Sequence, residues 1–135
     1  MCENSITTRD IGFFKSALES LMNRKQLQKE EIPEYEFDAM YDWYIEKERA
    51  FFLSSGKCDV LSYFSDEPED LRKAEMLALL LYHDGMMHSG IPAKKNLFEK
   101  SWLLYQYVCA MYNDFSYDRM KVIKKIEKQW LAAWL

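Results

Sequence analysis

A chain of 135 residues has the length of one domain, and folding at that size buries roughly two thirds of the unfolded surface without a disulfide or metal staple. With 49% hydrophobic and 30% charged residues, the composition excludes a disordered chain, and no run approaches the ~18 apolar residues of a membrane-spanning helix. The net charge of −4 weighs against indiscriminate binding of the whole domain to nucleic acid, which is driven by cationic contacts to phosphate.

Ile11, Phe14, Leu18, Leu21 and Met22 recur at helical spacing, while Lys15, Glu19 and Asn23 fall on the other side. Thr7 or Thr8 is placed to cap this helix, Ile6 and Ile11 to staple its entry, and Asp10 to meet the positive end of its dipole. The polar stretch from Gln26 to Glu31 leaves it. Pro33 opens a second helix predicted to last to about Ser55 and to end at Gly56. Its apolar set is Phe37, Met40, Tyr41, Tyr44, Ile45, Phe51 and Phe52, with Trp43 on the flank. Its other side carries Glu34, Glu36, Asp38, Asp42, Glu46 and Glu48, more acid than one helix terminus accounts for. Asp59 is placed to cap a short turn of helix over residues 60–64.

Met76 to Tyr82 is an unbroken apolar run, too continuous for a one-faced helix and too poor in β-branched residues for a buried strand; it predicts a helix buried on most sides. Asp66 and Glu69 have capping-box spacing at its start, Pro68 suits the first turn, and Gly90 suits a left-handed closure near Ser89. Pro92 then starts a helix from about Ala93 to Asn113, with Leu97, Ser101, Leu104, Val108 and Met111 on one stripe and Phe98, Trp102, Tyr105 and Tyr112 on another. The short connection predicts an antiparallel hairpin. Gly85, inside the first of the two helices, costs about 1 kcal/mol relative to Ala, and a close crossing of the partner helix would offset that. Ser116 caps a last helix, with Asp118 in its first turn. Met120, Ile123, Ile126, Trp130 and Trp134 mark its buried side, opposite Lys121, Lys124, Lys125 and Lys128. The expected class is all-α: five main helices plus one short helix, in a single domain over residues 1–135, as a compact bundle or a short stack of antiparallel hairpins.

The segments Leu80 to Met86, Leu97 to Tyr107 and Phe115 to Arg119 resemble tetratricopeptide-type helical hairpins of small bacterial proteins, over roughly residues 71–126. The resemblance implies stacked antiparallel helices whose concave face binds a peptide or protein, and it implies no catalysis.

Chemistry-bearing residues are sparse. Cys2, Cys58 and Cys109 form no CxxC pair, and the first five residues lack both the basic region and the apolar run of a signal peptide, so the expected setting is the reducing cytoplasm. His83 and His88 are the two histidines; Asp84 and His88, four apart, share a helical face, but no further ligands complete a metal set. Cys109 sits among apolar neighbours, where a thiol behaves as a small hydrophobe, and Cys58 has no identifiable base beside it. No glycine-rich phosphate loop is present, and neither a cofactor nor an enzymatic activity is expected.

The functional expectation is therefore a noncatalytic protein-interaction module. Its contact surface is expected on the acidic second helix, with Tyr35, Tyr41, Trp43 and Tyr44 as aromatic anchors and Asp38 and Asp42 as their acidic neighbours, or in an aromatic groove beside the central hairpin. The alternatives are a small inhibitor that masks a basic partner and a nucleic-acid-associated protein using the C-terminal lysines. Trp130, Trp134 and Leu135 offer a surface for packing against the core or for a homodimer.

Overall fold

The apolar run 76–82 lies in a 20-residue helix of the computed structural model, which describes residues 8–27, 32–88 and 90–134. Seven α-helices make up the described residues: α1 (Thr8–Leu27), α2 (Glu34–Met40), α3 (Arg49–Ser54), α4 (Lys57–Ser62), α5 (Pro68–Met87), α6 (Ile91–Tyr112) and α7 (Tyr117–Trp134). A π-helical segment, Tyr41–Ile45, continues α2. No strand occurs among the described residues, and the fold is all-α.

The helices α5 and α6 form the expected antiparallel hairpin, and α7 packs back on α6. In the run 76–82, Leu79 alone is not buried. Gly85 is the crossing point. A Cβ there would lie 2.9 and 3.1 Å from ring carbons of Phe98 and 3.3 Å from Leu97 Cβ, so the missing side chain is what lets α6 approach. Nearby, Ser101 Oγ donates to the Ala78 carbonyl across the same interface at 2.5 Å. Lys100 reaches the other way and donates to the carbonyls of Phe52 and Leu53 at the end of α3, at 2.7 and 3.2 Å, a cation meeting the negative end of a short helix.

Helix boundaries depart from expectation in instructive places. The helix expected from Pro33 to Ser55 is broken in two, because Glu46 turns left-handed (φ 64°) and its amide closes a wide turn on the Tyr41 carbonyl. A left-handed non-glycine residue costs roughly 1–2 kcal/mol. Lys73 holds the Glu46 carboxylate at 2.6 Å, and the break brings Arg49 against Asp84. Gly56 starts α4 rather than ending its predecessor, so the short helix begins at Lys57 and not at residue 60. At α5 the N-cap is Glu67, and the Asp70 carboxylate accepts from the Ser65 amide and hydroxyl instead of a capping box forming at Asp66. Gly90 is extended (φ −77°) and precedes α6; the left-handed closure occurs at Asn113. Ser116 accepts from the Arg119 amide, as its capping role requires. The Thr7 cap, the Ile6 staple, residues 28–31 and Ser89 lie outside the described residues.

Phe14, Leu18 and Leu21 from α1, Phe37 and Met40 from α2, Tyr41 and Ile45 from the π segment, Phe52 from α3, and Ile123 and Ile126 from α7 close over the hairpin. Phe52 is the hub of an aromatic cluster, with Tyr41, Phe51, Tyr63 and Phe64 at centroid distances of 5.2 to 6.4 Å. No helix among the described residues is long and apolar enough to cross a membrane.

Candidate functional site

Three places on this scaffold combine unusual side chains. The first is interior. Asp84, fully buried on α5, accepts from Tyr41 Oη (2.7 Å), Arg49 Nε (2.9 Å) and Arg49 Nη2 (2.8 Å), and His88 Nε2 stands 3.3 Å from its other face. The remaining Arg49 nitrogen faces Glu34 and Asp38 at 3.4 and 3.3 Å. Burial alone would lower the Arg49 pKa, but its hydrogen bonds to Asp84 and the charge of that carboxylate raise it instead. The Tyr41 hydroxyl is pushed well up by burial and by the adjacent Asp84 charge. With both carboxylate oxygens engaged, the cluster fastens the π segment and α3 onto α5. Asp84 and His88 do share a helical face, 3.3 Å apart, and among the described residues no group of three or more His, Cys, Asp or Glu residues is arranged to hold a metal ion.

The second place is the outer face of α2 and the π segment. Tyr35 is 71% exposed and Trp43 78% exposed, and Asp38 and Asp42 are exposed on the same elements. Tyr41 does not belong with them: its ring is fully buried and its hydroxyl is committed to Asp84, so it presents no surface anchor. Tyr44 is half-buried, edge-on to Phe14 at 5.1 Å. The reason is helical phase. Tyr41 and Tyr44 follow Phe37 on the core side, whereas Tyr35, Asp38, Asp42 and Trp43 follow one another on the solvent side.

The third place is a groove beside the central hairpin, where an aromatic one was expected; its lining is more methionine and aliphatic than aromatic. Along α5, between α1 and α7, run two hollows of about 250 and 520 Å³ that share Leu79 and Val122 as a common wall. Tyr105 and Phe14 line the smaller; Met22, Tyr82, Met86 and Met87 line the larger. The signal available in the sequence was Leu79, Met86 and Met87, which continue the apolar run of α5 past what one neighbouring helix can cover. Of the predicted lysine stripe, Lys125 and Lys128 stand at this groove, and all four lysines are exposed. The last turn of α7 contains no basic residue, so dipole compensation does not account for the stripe.

His83 forms part of the groove floor. Burial, helped by the charge of Lys125, holds its imidazole down at about 4. An unfolded imidazole titrates near 6.5, so between those values the unfolded chain holds the extra proton. This contribution to stability is complete above about pH 6.5 and is lost as the pH falls toward 4, by roughly 3 kcal/mol in total. Denaturant titrations at pH 7 and pH 4.5 should show a smaller loss for His83→Gln than for the wild type; equal losses would mean that His83 is not what titrates.

At the C-terminal end, Trp130 is half-buried against Trp102, ring centroids 6.0 Å apart, and Trp102 Nε1 donates to Glu127 at 3.0 Å. Leu131 beside them is 68% exposed, while the Trp134 side chain and Leu135 lie outside the described residues. Cys58 is exposed and Cys109 half-buried, both as free thiols. No protein-family model, curated protein or solved structure matches the chain.

Proposed function

We propose that this protein is a noncatalytic, cytoplasmic protein-interaction module whose α2 face docks a basic segment of a partner protein. The observation that carries the reading is the pair of large aromatic rings, Trp43 and Tyr35, held almost fully in solvent among the carboxylates of Asp38 and Asp42. An exposed tryptophan is poorly accommodated by water and is a favoured interface anchor. A Lys or Arg side chain stacked on such a ring gains cation–π attraction, and the flanking carboxylates add to it. The π segment beneath supplies a stiff mount, since Tyr41 and Ile45 are fully buried on its inner side. The α5–α6 hairpin on which this mount sits is the part that resembles a tetratricopeptide unit, and scaffolding is the role we give it.

Nuclease-treated lysate of the native organism passed over immobilised protein should yield a partner with a Lys/Arg-rich segment. The Tyr35→Ala/Trp43→Ala variant should bind it at least about tenfold more weakly at an unchanged melting temperature. Equal capture by the variant would remove this face from consideration. A second reading, nucleic-acid association through Lys121, Lys124, Lys125 and Lys128, is favoured by the position of these lysines away from the helix end. It is distinguished by capture that nuclease abolishes and salt weakens steeply.

A further inference from the structure

The groove along α5 has a charge opposite to that of the chain. On a protein of net charge −4, its lining carries six cations, Lys15, Lys25, Arg72, Arg119, Lys125 and Lys128, against the carboxylates of Glu75 and Asp118. Arg119 is already engaged by Glu75 at 2.9 Å and Asp114 at 3.2 Å, which removes Glu75 and Arg119 alike from the balance. Lys15, Lys125 and Lys128 make no ion pair among the described residues. The floor between these cations is apolar, formed by Met22, Met76, Leu79, Met86, Met87 and Val122. Four of the chain's eight methionines are in that set, and methionine is the side chain best able to refit itself around a foreign apolar surface.

Shape narrows the occupant. The α5 residues that line the two hollows run from Arg72 to Met87, roughly 22 Å at the rise of an α-helix. Long helices, α1 and α7, form the side walls. Two successive hollows along this length, apolar along their floors and cationic along their rims, match a helix of about 15 residues that presents an apolar stripe downward and carboxylates to either side.

We infer that the α1–α5–α7 groove is a second docking site, and that it takes an acidic amphipathic helix of a partner protein. The site is independent of the Trp43 face, and its ligand has the opposite charge. Apolar residues at i, i+4 and i+7 of the ligand would seat over Met76, Leu79 and Met86, while its Glu and Asp side chains reach Lys15, Lys125 and Lys128. His83 on the floor accepts such a ligand without adding a buried positive charge of its own, because it is neutral at physiological pH.

The test is selection of binders from a displayed library of helical peptides about 15 residues long, randomised at polar and apolar positions alike, against the full chain at ~0.15 M salt. The selected helices should be net acidic with i, i+4, i+7 apolar spacing. They should shift the methyl NMR signals of Met22, Met76, Met86 and Met87 while leaving the buried Met40 unmoved. Binding should weaken about tenfold or more in Lys125→Glu/Lys128→Glu, whose lysines are exposed, and should persist in Tyr35→Ala/Trp43→Ala. Selected helices that are basic, that bind the reversed-charge variant equally well, or that move Met40 instead would overturn the assignment. So would the absence of any binder, or a result in which dodecanoate alone moves the four methyl signals, since the groove would then serve a small anionic amphiphile.

Discussion

Replacing Arg49 by Ala should remove about 3–5 kcal/mol of stability, a large part of the ~5–15 kcal/mol available to a domain. The reason is what stays behind. Asp84 is fully buried, and the guanidinium supplies two of its hydrogen bonds and its neutralising charge. Loss of that partner strands a carboxylate in the core, left with the Tyr41 hydroxyl and with His88 at 3.3 Å. The double variant Arg49→Met/Asp84→Asn should recover most of the loss, because Asn keeps an oxygen for the Tyr41 hydroxyl and removes the charge. Arg24→Ala, which breaks a partly exposed pair with Glu36 of even shorter distance, 2.6 Å, should cost no more than about 1 kcal/mol. Chemical denaturation of the three variants decides the matter. An Arg49→Ala protein within about 1 kcal/mol of the wild type would mean that the pair is not carrying the π segment.

Gly85→Ala should destabilise by about 2 kcal/mol, although alanine is the better helix former by about 1 kcal/mol. The added methyl group would stand 2.9 Å from Phe98, whose ring is 1% exposed and packed beside Tyr82 at a centroid distance of 6.0 Å, so the ring has nowhere to turn. The melting temperature should drop by roughly 5–10 °C. Phe98→Leu introduced into that variant should recover part of the drop, since a smaller side chain makes room for the methyl group even as it leaves a gap of its own. A rise in melting temperature for Gly85→Ala would show that helix propensity outweighs the crossing.

These two sites also mark what the amino-acid sequence could and could not reveal. Gly85 was readable: a glycine in the middle of an otherwise strong helix, next to a short connection, points to a close partner, and the partner is there. The long helices were readable for the same kind of reason, because Phe14, Leu18, Leu21 and the run 76–82 fix which side of each helix is interior. The division of residues 33–55 was not. Glu46, Lys47 and Glu48 are ordinary helix formers, with no glycine or proline among them, and the chain turns there because of contacts made 27 to 35 positions later, to Lys73 and Asp84. Tyr41 left the expected surface set for a local reason, since it lies one turn after Phe37 on the core side. The groove required knowing that α1 and α7 stand on either side of α5, which periodicity within single helices does not contain.

From Glu34 to Ser62 the backbone is cut into short helical stretches, α2 with its π continuation (7 and 5 residues) and then α3 and α4 of 6 residues each. Segments that short do not hold a helix in water alone, because nucleation costs more than so few turns return. The surface bearing Trp43 is thus borrowed from the hairpin, to which Tyr41 and Arg49 tie it through Asp84 while Phe37 and Ile45 pack in the core. Thermodynamic linkage makes that loan reciprocal. A partner that recognises only the assembled face draws its selectivity from the folding equilibrium of α5 and α6, and its binding free energy is returned to them as stability.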